Sequence, residues 1–295
     1  MGCIKYNDFG TKNAIIPEMN WKGEVKIGKK VSMTGLLAFL ATSTFAARFS
    51  GTLSAEFETA YVSPSGTICD SRPTALQNLD WMLTLGDYGR FSGYGAFLSM
   101  LHDHQHELHR PAFNEFEGSI RYGYAWTLAK DVVFVNDTGF VANPLFGYRN
   151  GNDVTLWEFR YFQSLVNPYV TPYWDLLTMM DPAQWNRIRF GVRHSFALTE
   201  TIALTPFVEA VWGDKNRFKA RYGESPDNTI LGGVICTLTP GVQLDWRFAK
   251  DWRAYAKFRE LVTVDPLARR IVGEMDDYWE VNDLAIGTVG LAYDF

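Results

Sequence analysis

At 295 residues, with 47% hydrophobic and 15% aromatic content, the chain is too apolar for a disordered polymer and long enough for one large or two ordinary domains. Its formal net charge is −5, and no basic stripe with interleaved aromatics occurs, which argues against a nucleic-acid partner. No run of 18 consecutive apolar residues is present, which argues against helical membrane spans.

The longest apolar segment, Val31 to Ala47, follows Lys22, Lys26, Lys29 and Lys30, the layout of a cleavable secretory signal peptide. Thr44 and Ala46 supply a small-x-small site, so residues 1–46 are expected to form an N-terminal extension and signal, and residues 47–295 the mature domain. A buried helix is the alternative for this segment. A start at Met19 would keep all four lysines as the charged n-region, so the translation start is expected to lie downstream of Met1. Removing residues 1–46 leaves 22 basic and 30 acidic residues, a net charge of −8. Two cysteines remain, Cys69 and Cys236, which in an oxidising compartment form either one disulfide or two separate thiols.

From Arg48 the chain falls into alternating segments of the length a tilted strand needs to cross a bilayer. Twelve strands are expected, at 52–62, 75–85, 90–101, 113–128, 131–142, 154–166, 169–179, 185–198, 201–212, 229–248, 251–262 and 284–295. Tight turns are expected at Gly86 to Gly89 and around Ala129-Lys130, Asn167-Pro168, Thr199-Glu200 and Ala249-Lys250. Longer polar links are expected at 63–74, 102–112, 143–153, 180–184, 213–228 and 263–282, so that short and long connections strictly alternate. An even strand count with loop lengths segregated to the two ends predicts an all-β, antiparallel transmembrane barrel.

The last strand carries one more signal. Ala285, Gly287, Val289, Leu291, Tyr293 and Phe295 share a face that ends in an aromatic pair. It resembles the closing strand of bacterial outer-membrane β-barrels. That resemblance implies an outer-membrane location, surrounding outer-membrane lipid, and a barrel-assembly machinery that reads the terminal aromatic.

With the apolar face outward, strand eight turns Arg187, Arg189 and Arg193 inward, and strands ten and eleven add Asp245, Arg247, Arg253, Tyr255, Lys257 and Arg259. Strands one, two, four and six add Glu56, Glu58, Asp80, Glu115, Glu117, Arg121, Glu158 and Arg160. Acids thus gather early in the barrel and bases late, a transverse field of the kind that orients solutes in a pore. Arg187, Arg189, Arg193, Arg247 and Arg259 are expected to face Glu56, Glu58, Asp80, Glu115 and Glu117 as selectivity elements. A salt-bridged plug is the alternative, and strand count does not decide between them. Trp81, Tyr94, Tyr122, Tyr124, Trp126, Trp157, Tyr161, Trp212, Trp246, Trp252, Tyr293 and Phe295 are expected outside as interfacial girdles. An aromatic sugar track would need rings inside.

His102, His104, His106 and His109 hold four of the five histidines, and the first three share one face of an extended chain. Neutral imidazoles at that spacing suit Zn²⁺, Ni²⁺ or Cu²⁺; a solvated loop is the alternative. No other cofactor is implied. Some twelve-stranded barrels are lipid hydrolases, but His194 and Ser195 are adjacent and point to opposite faces of a strand. The sequence therefore predicts a non-enzymatic outer-membrane channel for small hydrophilic, anionic solutes. A closed structural or metal- and ligand-binding barrel acting through its outer loops is the alternative, with a lipid hydrolase behind both.

Overall fold

The computed structural model describes residues 47–62, 68–70, 73–100, 115–149, 152–181, 184–216, 234–274 and 283–295. Twelve antiparallel strands form the wall: β1 (Arg48–Glu58), β2 (Thr74–Thr84), β3 (Arg90–Met100), β4 (Glu115–Ala129), β5 (Val132–Arg149), β6 (Asn152–Val166), β7 (Thr171–Asp181), β8 (Trp185–Arg193), β9 (Ile202–Gly213), β10 (Val234–Arg247), β11 (Trp252–Thr263) and β12 (Asp283–Asp294). After a break at His194 and Ser195 the path of β8 resumes over Phe196–Ala197, still paired with β9.

Each strand pairs with its neighbours in sequence, and β1 pairs with β12 from Thr52 opposite Asp294 to Glu58 opposite Thr288. The sheet therefore closes and has no edge, the one way a sheet satisfies its backbone groups in lipid. The closure is finished by the carboxy-terminal residue, because Gly51 and Phe295 exchange backbone hydrogen bonds of 2.9 and 3.0 Å. The Phe295 ring lies over the space where Gly51 has no side chain and 6.0 Å from the Phe49 ring.

Polarity is inverted relative to a water-soluble protein. Phe49, Leu53, Leu79, Phe97, Ile120, Phe140, Trp157, Phe190, Leu244, Phe258 and Val289 are exposed on the outer surface. Arg121, Arg160, Arg187, Glu58 and Asp175 face inward and are at most 2% exposed. Alternation produces this directly, since successive side chains leave opposite faces of a strand. At the end where β1 starts and β12 finishes, aromatic rings join into a belt: Tyr124, Trp126 and Phe134, then Trp246 with Phe248, and Trp252 with Tyr293 and Phe295, with neighbouring centroids 4.9 to 6.3 Å apart.

The turns at this end are short. Lys130 and Asp131 join β4 to β5, with Asp131 at φ 61°, one residue later than the pattern suggested. Between β6 and β7, Asn167 Oδ1 accepts hydrogen bonds from the amides of Tyr169 (3.0 Å) and Val170 (3.1 Å). The far end departs from the expected strict alternation of short and long links. β5 runs to Arg149 and pairs there with Asn152, so the expected loop at 143–153 is mostly strand. Only three residues separate β7 from β8. Asn150-Gly151, between β5 and β6, is a strong hairpin signal that the reading of a long loop passed over.

The remaining links at this end are long. One carries a short ribbon of Tyr61–Val62 with Ile68–Asp70. Another carries helix α1 (Pro266–Glu274), whose first turn is capped where Asp265 accepts from the Ala268 amide at 2.8 Å. Arg269 ties α1 to the rim through the Thr263 carbonyl and both Asp283 oxygens at 2.8, 2.8 and 2.9 Å. The expected signal segment 1–46 and the histidine cluster lie outside the described residues.

A side chain at Gly51 has to displace the Phe295 ring or the Asp80 carbonyl, a steric conflict that typically costs about 1–3 kcal/mol. Gly51→Val is expected to lower the folded fraction of refolded protein, read as loss of the heat-modifiable band on a gel. Phe295→Ala in the same chain should recover part of it.

Candidate functional site

The inner wall is built by one face of each strand, and its centre is an acid. Asp175 on β7 is completely buried and is met by three arginines. Arg160, on β6, donates from Nε and Nη2 to the two carboxylate oxygens at 2.7 and 3.0 Å. Arg189 lies directly opposite on β8 and donates at 3.3 Å, and the Arg187 guanidinium approaches to 3.7 Å. Arg189 also reaches Glu209 on β9 at 3.5 Å, and Glu209 accepts the hydroxyl of Tyr173. Charges taken this far from water persist only when paired, and the two-pronged Arg160–Asp175 contact is the strongest form of such a pair.

Glu117, Arg121 and Glu158 continue the lattice towards β4, each 2% exposed. Beside it on the inner wall lies an apolar cluster of Tyr94, Ala96, Val141, Leu156, Leu177 and Met179 with Trp185 packed against it. The lumen from β3 to β8 is therefore filled by side chains.

The opposite sector is different. Arg193, Phe207, Gln243, Asp245, Arg253, Tyr255, Lys257, Arg259 and Glu56 all point inward, and all retain partial exposure. Arg253 donates to Asp245 at 2.5 Å, Asn78 to Glu56 at 3.2 Å, and Arg259 to Glu58 at 3.5 Å. Behind them, Thr288 donates to Glu58 at 3.0 Å and Thr52 to Asp294 at 2.9 Å.

The expected selectivity residues divide accordingly. Arg187, Arg189 and Glu117 belong to the packed sector, whereas Arg193, Arg259, Glu56 and Asp80 border the accessible one. Glu58 is buried and pairs with Arg259 at 3.5 Å across β12, a contact between the expected basic and acidic sets made along the wall and not across the lumen. Arg247 is exposed at the last position of β10, at the rim and not in a constriction, because the strand ends there. Glu115 opens β4, and its side chain lies outside the described residues, as do His102, His104, His106 and His109. Among the described residues no group of three or more His, Cys, Asp or Glu is placed to hold a metal.

Two features escaped the sequence pattern. Asp175 was missed because its inward companions on β7, Tyr173, Leu177 and Met179, are largely apolar, so the strand shows no polar face. Tyr94 was expected in the outer girdle but is 3% exposed inside the lumen, with the Arg121 guanidinium 5.9 Å from its ring. Phe91 and Phe97, both exposed and six residues apart, share the outer face of β3 and force Tyr94 inward. It joins Tyr173, Phe207 and Tyr255 inside the barrel, of which Tyr255 was expected there.

His194 and Ser195, expected within a strand with their side chains on opposite faces, instead lie at a break in β8. The imidazole instead stands edge-on to Phe196, 4.4 Å between centroids.

No protein-family model matches the chain, and no curated protein matches it in sequence. In structure it is similar to an outer-membrane channel from Pseudomonas putida F1, with 10% identity, a TM-score of 0.52 and coverage of 92% of this chain and 100% of that one. Lower scores come from the NanC porin (TM-score 0.47, 9% identity, 82% and 98% covered) and the KdgM porin (0.45, 10%, 83% and 99%). At these identities the likeness is one of fold. With its apolar outer wall and closed twelve-stranded sheet, the chain has the fold of an outer-membrane β-barrel.

Removing the central acid strands three buried cations. Asp175→Leu is expected to lower the unfolding free energy by about 3–5 kcal/mol, read from urea midpoints in lipid vesicles, while Asp175→Leu with Arg160→Met should cost less than Asp175→Leu alone.

Proposed function

We propose that the barrel is a channel for the passive passage of small hydrophilic solutes across the outer membrane, with a preference for anions. The observation that carries this reading is the partition of the lumen. One sector is a dry, charge-neutralised filling, and the other is lined by polar and charged side chains that stay accessible. A barrel built only as a membrane plug has no need of partly hydrated Arg193, Lys257 and Arg259 in its interior.

Anion preference follows from the charges that face this space. Asp245 is paired with Arg253 and Glu58 with Arg259, whereas Glu56 accepts from the neutral amide of Asn78 and keeps its charge. The anion preference is drawn from the bases that this sector gathers, Arg193, Lys257 and Arg259 beside Arg253, whose field a low-dielectric tube focuses. Glu56, Glu58, Asp80, Glu115 and Glu117 with Arg187, Arg189, Arg193 and Arg259 would make up the charge set of the wall, with Arg247 at its rim. The assembly machinery remains the proposed partner for the Phe295 end, and a transition metal at His102, His104, His106 and His109 the proposed loop ligand. Triple replacement of His102, His104 and His106 by Ala is expected to abolish Ni²⁺ uptake with the barrel still folded; undiminished uptake would rule the loop site out.

The direct test is single-channel recording of refolded residues 47–295 in a planar bilayer under a KCl gradient. Stable steps with a reversal potential on the chloride side are expected. Silence from protein shown to be folded and inserted would overturn the channel and leave a filled barrel acting through its loops.

A further inference from the structure

We infer that the accessible sector is a vestibule open towards the short turns, and that a neutral collar in the outer half of β10 to β12, built around Thr237, Leu261 and Ile286, sets the size limit of the channel. This inference rests on the channel reading above and places its narrowest step.

A single boundary crosses the inner wall of six neighbouring strands. On β8, β9, β10, β11, β12 and β1 in turn, Arg189, Glu209, Thr239, Leu261, Thr288 and Glu58 are between 1% and 8% exposed. One inward position closer to the short turns, Gly191, Phe207, Gly241, Arg259, Gly290 and Glu56 are all partly exposed. Register makes the two rows continuous: Glu209 lies opposite both Gly191 and Thr239, and Thr288 opposite both Lys257 and Glu58.

On the short-turn side of this line, exposure continues through Gln243, Asp245 and Arg253 to Arg247 at the rim. On β12 and β1 the small residues Ala292, Ser54 and Thr52 are covered again, so the exposed strip runs down β8 to β11. In outer-membrane barrels short turns face the periplasm and long loops face outward. The strip is thus a periplasm-facing vestibule, and the half of the wall beyond it is the barrier.

This barrier differs in kind from the charged wall around Asp175. The buried inward residues of β10 to β12 are Thr237, Thr239, Leu261, Thr263, Ile286 and Thr288, none of them charged. Leu261 and Ile286 pack with Ala60 into one apolar cluster, and Thr237 stands directly opposite Thr263. Thr237 is 2% exposed, and its hydroxyl has no hydrogen-bond partner among the described residues. A hydroxyl both donates and accepts, so it can stand in for one water of a passing solute, and such contact recovers the cost of leaving it unused. The two halves of the lumen then divide the work, with bases in the vestibule weighting the sign of charge and the collar limiting size. The class that follows is a small, singly charged anion, since stripping water from a multiply charged one at a neutral collar costs far more.

The test records Leu261→Ala, Ile286→Ala and Thr237→Val, each shown to be folded by its heat-modifiable band, beside the wild type under the same KCl gradient. The two alanine variants are expected to raise single-channel conductance about twofold or more, as for the widening of an apolar constriction, and Thr237→Val to lower it. The chloride-to-potassium permeability ratio should stay as in the wild type, because none of the three residues carries charge. Where an alanine variant does not fold, Leu261→Val or Ile286→Val replaces it, with a smaller rise expected. Unchanged conductance in the Leu261 and Ile286 variants, or a shifted permeability ratio, would overturn the collar while leaving the channel intact, and unchanged conductance in Thr237→Val would take that hydroxyl off the path. Silence from the folded wild-type barrel would instead overturn the channel reading.

A second readout does not depend on current. Gln243→Cys and Thr288→Cys, expressed in the outer membrane of a Gram-negative host, are exposed to a maleimide on a polyethylene glycol chain too large to cross that membrane, with the unaltered chain setting the background from Cys69 and Cys236. Gln243→Cys is expected to stay unmodified in intact cells and to react once the periplasm is opened, and Thr288→Cys to resist in both states. Modification of Gln243→Cys from outside, or in neither state, would overturn the vestibule even in a silent barrel, and equal rates at the two positions after opening would overturn the boundary.

Discussion

A closed sheet in lipid has to solve two problems with one alternating pattern. Its outward side chains must be apolar because hydrocarbon surrounds them, and its backbone must be fully paired because no water is available there. The β1–β12 seam meets the second requirement by taking the pairing through to Phe295 and Gly51, where a ring occupies the space left by a missing side chain. Everything inside the wall follows from this inversion. Polar side chains expelled from the lipid face must find partners in the lumen or in water.

The barrel uses both solutions, on opposite sides. Between β3 and β8 the partners are other side chains, with Asp175 at the centre of three arginines and an apolar cluster packed beside them. Replacing such a lattice by apolar residues of similar volume need not destabilise a protein, so its retention is better understood as fixing the geometry of one wall. Around β10, β11 and the middle of β1, Asp245, Arg253, Lys257, Arg259 and Glu56 remain partly exposed.

Glycine has a second part in this design. At Gly191, Gly241 and Gly290 its contribution is space for a ring on the adjacent strand, and the ring in turn supports a cation. Three single-residue choices, on β8, β10 and β12, thus leave room for three inward rings. No strand alone contains the information, because each ring and the glycine opposite it come from neighbouring strands.

Much of the architecture was written in the chain. Alternation with a period of two, twelve segments of sufficient length, and a final face ending in Tyr293 and Phe295 determined an inverted barrel, its strand count and most of its facing residues, since side-chain direction in a strand depends only on parity. The same local rule would have placed Tyr94 correctly from Phe91 and Phe97, and Asn150-Gly151 would have marked the β5–β6 hairpin. Pairing between charges was not legible in this way. Whether Arg189 faces a distant glutamate or the adjacent Asp175, and which ring Lys257 reaches, depends on register across neighbouring strands and on how far a long side chain extends over them. Only the closed tertiary structure brought those groups together, and only it decided which arginines are buried against an acid and which still face water.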